Sequence, residues 1–350
     1  MKNSITIGMD LGDKNHEVCI LDEAGAVTER RKIINKKEAV VKCFEEYRGA
    51  LVAIEAGTHS AWVSRVLESL ECEVLVGNPR KLRMIWASKN KNDVADAEML
   101  GRIARFDRAL LYPIHHRGPE AQQDLALLKA RDMLVSVRTG LVNHVRGSVK
   151  SMGYRIAGCS TDSFARKARE SLPTELTPAL LPVIEEIETL TKRIRAYDKQ
   201  VSSLIEERHP DAKRLSQVPG VGPLTSLGFV LSLEEASRFK KSRTVGAYLG
   251  LTTRRDQSGE TDKQLRITKN GDEYVRRLVV GCTHYILGPF GPECDLRRFG
   301  EKLAKRGGKN AKRRAVVAVA RKLSVLLHRL WVTGADYDPD YKNNVLKKVA

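Results

Sequence analysis

Two short apolar stretches near the N-terminus each end in a carboxylate: Ser4-Ile-Thr-Ile-Gly-Met-Asp10 and Leu51-Val-Ala-Ile-Glu55. Their β-branched, apolar character predicts strands. Asp93 and Asp96 lie three apart at the predicted start of a helix, so they share one face of it. Four carboxylates gathered in one place repel each other, and burying them is costly unless cations neutralise them. All-oxygen ligands suit Mg²⁺ or Mn²⁺. A pair of such ions can activate a nucleophile and stabilise a leaving group in phosphodiester chemistry.

The surrounding pattern says how the acids could meet. Ser4–Asp10, His16–Leu21 and Thr28–Ile34 read as three short strands, with Asp22-Glu-Ala-Gly25 as a hairpin turn between the second and third. Lys37–Tyr47 reads as a helix, Leu51–Glu55 as a strand, Ser60–Leu70 as an amphipathic helix and Glu73–Val76 as a fifth strand. Three meandering strands followed by β-α-β is the order of RNase H-like and actin-like folds, in which the Glu55 strand lies beside the Asp10 strand. The expectation is an α/β, RNase H-like (RuvC-like) domain over residues 1–115.

Residues 116–210 read as a helical, coiled-coil-like linker. Glu120–Met152 reads as one long helix, and the Ser160–Thr177 stretch as a loop or a partly ordered turn. Leu180, Ile184, Ile187, Leu190, Ile194, Tyr197, Val201 and Leu204 then recur at three- and four-residue steps. Such a stripe can close an antiparallel pair within one subunit or join two subunits, and self-association is the expectation. Residues 211–334 form a third, mainly α segment. Residues 335–350 read as a loose polar tail.

Charge points to the partner. The chain has a formal net charge of +18. Between Asp211 and Leu330 stand 25 basic and 11 acidic residues, so this segment carries +14 of the excess. An excess this localised predicts a surface for a polyanion. The six cysteines include no CxxC pair and read as reduced thiols of a cytosolic protein. With no secretory signal and no apolar run long enough to span a bilayer, the expectation is a soluble, intracellular, nucleoid-associated protein with no membrane partner.

Within the basic segment, Leu215-Ser-Gln-Val-Pro-Gly-Val-Gly-Pro-Leu-Thr225 resembles a helix-hairpin-helix. Gly220 and Gly222 would let the backbone turn sharply beside a phosphate, and the next helix would aim its N–H groups at the anion. Hairpins of this kind grip the DNA backbone without reading sequence. A polar loop follows, with Arg254, Arg255 and Ser258-Gly259. Taken alone, a Ser-Gly in a loop is usually only a turn. Lys269, Arg276 and Arg277 come next, then the dense run Lys302, Lys305, Arg306, Lys309, Lys312, Arg313 and Arg314, which suits phosphate contacts.

These motifs together resemble the IS-one-ten (IS110) family of insertion-sequence transposases over nearly the whole chain. The matching segments are Gly8-Met-Asp10 with Lys14, Ile54-Glu55-Ala56-Gly57, Asn78-Pro79 and Lys91-Asn92-Asp93-Val-Ala-Asp96-Ala97. Further on they are Pro219-Gly-Val-Gly-Pro223, Tyr248-Leu-Gly250, Ser258-Gly259 and Thr268-Lys-Asn-Gly271 through Arg276-Arg277. Asn92 stands where threonine is usual, and Gln257 and Thr268 stand where serines are common, so only Ser258 matches the family's nucleophile. The resemblance implies a DEDD site of Asp10, Glu55, Asp93 and Asp96 holding Mg²⁺ or Mn²⁺. It also implies a C-terminal serine transposase domain in which Ser258 forms a transient 5′-phosphoserine with DNA. The implied partners are donor and target DNA, a structured non-coding guide RNA, and further copies of the chain as a homodimer assembling to a tetramer. The two domains would then meet across subunits.

Three other readings fit parts of the chain. Asp10-Leu-Gly-Asp13-Lys14 is similar to the first phosphate loop of actin-like sugar kinases, but no second aspartate-glycine loop or Gly-rich adenosine motif follows. A RuvC-like nuclease or resolvase that uses water as nucleophile would keep the acids without Ser258. A non-catalytic nucleic-acid-binding module would use Asp93 and Asp96 only as first-turn helix acids. His115-His116 reads as surface, and Trp62, Trp86 and Trp331 as packing.

Overall fold

The computed structural model describes residues 5–82 and 92–341; Ser4, Trp86, Lys91 and the Lys-rich C-terminal end lie outside them. The chain divides into two compact units, Met1–Arg117 and Gly118–Ala350.

In the first unit, β1 (Thr6–Leu11), β2 (Asn15–Leu21) and β3 (Val27–Ile34) form an antiparallel meander. β4 (Leu51–Glu55) pairs parallel to β1, and β5 (Glu73–Gly77) pairs parallel to β4. The order β3-β2-β1-β4-β5 is that of the RNase H-like fold. Asp22 shapes the β2–β3 turn by accepting from the amides of Ala24 and Ala26 at 2.9 and 2.8 Å. Strand alternation sorts the side chains by face. Ile7, Met9, Val18, Ile20, Val52 and Ile54 pack with α1 (Lys37–Phe44) and α2 (Ser60–Ser69). Cys19, Leu21, Leu51 and Ala53 face the opposite way and pack with α3 (Asp93–Phe106).

The second unit is mainly helical. It contains α4 (Pro119–Ser151), α5 (Thr161–Glu170), α6 (Thr177–Glu207), α7 (Pro210–Leu215), α8 (Pro223–Leu233) and α9 (Arg243–Tyr248). A hairpin of β6 (Thr253–Ser258) and β7 (Thr261–Ile267) follows, then α10 (Glu273–Ile286), α11 (Asp295–Ala304) and α12 (Ala311–Thr333).

Four features depart from the sequence reading. First, α4 and α6 run antiparallel within the chain: Arg131 Nε bonds Asp198 at 2.7 Å and Arg138 Nη1 bonds Thr191 Oγ1 at 3.2 Å. Leu180, Ile184, Ile187, Leu190, Ile194 and Val201 are buried in that packing, so the stripe is an internal face, not a free seam between subunits. Second, the stretch read as a loop contains α5. Ser160 caps it by accepting from the Ser163 amide, and Phe164, Ala165 and Ala168 close over the α4–α6 pair.

Third, no break falls at residue 210. Leu125, Leu128, Val201 and Ile205 of the long helices share one core with Leu215, Phe229, Val279 and Leu323. Fourth, the described part of the tail is held. Gly334 ends α12 with φ +64°, the Gln217 side chain bonds Asp336 and the Tyr337 amide, and the Asp295 amide donates to Pro339. Among the described residues, no helix is long and apolar enough to cross a membrane.

Candidate functional site

Asp10 and Glu55 follow directly on the Met9–Ile54 pair of neighbouring parallel strands. Strand alternation turns both toward α3, since Leu51 and Ala53 point that way and Ile54 points the other. Both are half-buried.

Helix α3 reaches them because two glycines let it lie on β1. A β-carbon on Gly8 would sit 1.9 Å from the Ala97 carbonyl oxygen and 2.5 Å from the Gly101 amide nitrogen; one on Gly101 would meet the Gly8 nitrogen at 3.0 Å. The far end of α3 is anchored at the β2–β3 turn, where Arg102 Nη1 donates to the Gly25 carbonyl at 3.2 Å. That turn lies at the opposite end of the sheet from Asp10, so the first turn of α3 comes to the Asp10 end. Asn92 caps this turn by accepting from the Val94 amide at 3.1 Å. Asp93 is exposed on it and Asp96 half-buried. Glu98, one residue past Ala97, bonds Arg30 and Arg102, and these guanidiniums hold its carboxyl below the usual range.

A fifth acid escaped the sequence reading. Glu17 is the cross-strand partner of Asp10 and shares its face. Lys32 Nζ bonds it at 3.0 Å and offsets its charge. Hairpin register places it there, and register is not legible from the strand sequences alone. Among the described residues, no three His, Cys, Asp or Glu side chains already form a cluster able to hold a metal ion. The acids carried at this edge offer carboxylate oxygens, which suit a hard divalent cation.

In the second unit, the segment read as a polar loop is an exposed two-stranded hairpin. Ser258 pairs with Thr261 across a two-residue turn that begins with Gly259 at φ +54°. The signal was present in Ser-Gly-Glu-Thr followed by the alternation of Thr261–Ile267. Isolated hairpins are marginal in water, and this one is fixed at its base. A β-carbon on Gly250 would sit 2.1 Å from the Asn270 carbonyl oxygen, and one on Gly271 would sit 1.9 Å from that of Tyr248. Arg276 is 9% exposed and donates to the carbonyls of Leu249 and Asn270 at 3.2 and 3.0 Å. Its guanidinium is thus a clamp between backbone segments, not the phosphate contact the sequence suggested.

The other cations fall into two groups. Arg255 forms a two-point pair with Asp262, and Arg277 bonds Asp132 while lying over the Tyr274 ring. Arg254, Lys269, Lys309, Lys312, Arg313 and Arg314 are exposed. The last three occupy the first turn of α12, where no acid balances the positive helix end. Gly220 has φ +79°, and a β-carbon there would meet Tyr285 Cδ1 at 2.8 Å; around Gly222 the space is open. Gly220 therefore serves packing and turn geometry, while Gly222, at the start of α8, is approachable. His115 is exposed, as expected, but His116 is half-buried with its Nε2 unpartnered, and burial pushes its pKa down.

An RNase H-like sheet with acids at the ends of adjacent strands and a basic helical unit fit a nucleic-acid-processing class of protein. Comparison with known proteins resolves the class. A transposase profile of the DEDD, IS110 type matches residues 7–153, and a profile described as Transposase IS116/IS110/IS902 family matches residues 212–291. The transposase for insertion sequence element IS1111A of Coxiella burnetii is 28% identical over 343 residues, covering 94% of this chain and 90% of the relative. A probable family 20 transposase of Pseudomonas aeruginosa is 27% identical over 347 residues, covering 96% and 99%. A pilin gene-inverting protein of Moraxella bovis is 26% identical over 134 residues, covering 37% and 40%. The chain belongs to the IS110 family of insertion-sequence transposases, enzymes that act on DNA.

Proposed function

We propose that this transposase cuts and rejoins DNA strands through a phosphoserine intermediate at Ser258, with Asp10, Glu55, Asp93 and Asp96 holding Mg²⁺ or Mn²⁺. The observation that carries the reading is the side-by-side placement of Asp10 and Glu55 on the face covered by α3, whose first turn bears Asp93 and Asp96. When bound, the metal supplies charge neutralisation and polarisation of a phosphate. The chain's own residues orient the reactants. Ser258 stands at the end of an exposed hairpin with a locked base, so its hydroxyl can reach a backbone that no pocket could admit.

Attack of Ser258 Oγ on a DNA phosphorus forms the Oγ–P bond and breaks the P–O3′ bond. The serine gives up a proton as the departing 3′ oxygen gains one. The 5′-phosphoserine conserves the phosphodiester energy, and a new 3′-hydroxyl can reverse the step on another strand. A serine hydroxyl is a poor nucleophile without activation, which is the reason for pairing it with an acidic metal site.

Guide RNA belongs to the same reading: pairing of a structured RNA with donor and target DNA would supply sequence choice while the basic unit reads backbone. Strand exchange between two duplexes also calls for several active centres, hence a homodimer that pairs into a tetramer. The buried α6 stripe is not available for this. Helix α4 keeps an exposed line in four–three steps, Ala130, Met133, Val137, Gly140, His144 and Gly147, and a second copy of the same helix is the occupant that this spacing fits.

The test is a covalent one. After reaction with DNA, proteolysis and mass spectrometry should place the nucleotide adduct on Ser258, and Ser258→Ala should lose adduct and exchange while still binding DNA. An adduct elsewhere, or cleavage by the alanine variant at the normal rate, would favour a RuvC-like enzyme that uses water.

A further inference from the structure

Phe290 is 84% exposed at the tip of the loop between α10 and α11, Leu287-Gly-Pro-Phe-Gly-Pro-Glu-Cys294. Single apolar side chains on a surface are ordinary. What sets this one apart is the rigidity of its mount. Pro289 and Pro292 flank the ring and fix their own φ angles. Gly288 and Gly291 lie against the end of α10, where β-carbons would sit 2.8 Å from the His284 carbonyl oxygen and 2.3 Å from that of Ile286. Arg297 Nη1 donates to the carbonyl of Ile286 at the end of α10, at 3.1 Å, and to two carbonyls of the loop, Gly288 at 2.8 Å and Gly291 at 2.7 Å, and its Nε bonds Glu301. The loop is tied from within, yet it holds outward a ring whose burial would be favourable.

The neighbourhood says what the ring meets. Tyr285, in the last turn of α10, is 46% exposed, and the hairpin turn at Gly220 packs against its ring edge. The α7–α8 turn and the Phe290 loop are therefore both seated on the last turn of α10. The segment that carries them has 25 basic and 11 acidic residues, which favours a polyanion over an apolar protein surface. Backbone amides for a phosphate and a fixed ring, both carried on the end of α10, suit a strand whose bases are unstacked, because every base offers a π face. A rigid ring also loses little entropy on stacking.

We propose that Phe290 is a base-stacking wedge that engages an unpaired or opened base next to the phosphates held at the α7–α8 turn. This rests on the reading of the basic unit as a DNA-binding surface and adds a preference for opened over intact duplex.

The full chain is titrated with a labelled blunt duplex and with the same duplex carrying a short unpaired fork. The wild type should bind the forked DNA roughly tenfold more tightly, within the range of one base–aromatic stack. Phe290→Ala should lose that preference with an unchanged melting temperature and unchanged salt dependence, and Phe290→Trp should restore it. If the wild type binds neither DNA, the DNA-binding reading itself fails. If the wild type binds both equally, or Phe290→Ala keeps the preference, the wedge is wrong while DNA binding stands. A change in solution mass with the preference intact would assign the ring to a protein contact instead.

Discussion

Gly8 of β1 lies against the Ala97 carbonyl of α3, so closely that a β-carbon on Gly8 would stand 1.9 Å from that oxygen. This contact sets how near the Asp93–Asp96 turn comes to Asp10. Gly8→Ala should push α3 off the sheet and cost about 1–3 kcal/mol or more, as overpacking does, read as a lowered urea midpoint together with lost strand cleavage. Asp10→Asn removes charge at nearly constant volume, so it should lose cleavage and the stabilisation by added Mn²⁺ while keeping DNA affinity. Cleavage by Asp10→Asn at the wild-type rate would exclude the carboxylate site.

The two apolar lines of the second unit should respond oppositely to a charge. Ile187 is fully buried, so Ile187→Asp should destabilise the fold by about 4 kcal/mol or more. Val137 is 44% exposed on α4, so Val137→Asp should leave the melting temperature nearly unchanged and shift the mass in solution toward monomer. Light scattering that shows the same mass for wild type and Val137→Asp would reject the α4 face.

Cations also separate by what they touch. Lys312 is exposed at the start of α12, and Lys312→Ala should reduce the slope of log affinity against log salt by about 0.9. Arg276→Ala should instead remove both bonds that tie Leu249 to Asn270 and lower stability by about 1–3 kcal/mol. A full unit of salt slope lost in Arg276→Ala with unchanged stability would return that residue to the phosphate surface.

A pH effect follows from His16. Its ring is wholly buried beside His59 and Trp62. Burial first, then the charge of His59, pushes its pKa below 6.5, with Asn35 opposing. The unfolded chain takes up a proton that the folded chain resists, so this contribution to stability is complete above pH 6.5 and is lost as pH falls below it. His16→Leu should therefore flatten the acid limb of the urea midpoint against pH. An unchanged acid limb would show that His16 is protonated in the folded protein.

The sequence alone determined much of the N-terminal unit. Apolar runs ending at Asp10 and Glu55, and a helix beginning at Asp93, are local signals, and parallel pairing of β1 with β4 follows from the chain's order of strands and helices. The proposal for Ser258 rests on the order of motifs around it, because one serine beside a glycine carries no chemistry by itself. Only the tertiary structure decided which apolar stripe is core and which cation is free. The α6 stripe and the α4 line share a helical period, and α5 covers one of them; Arg276 and Arg277 are adjacent in sequence, yet one clamps two backbone segments and the other reaches Asp132. Burial depends on what arrives from distant parts of the chain, and no local pattern encodes that arrival.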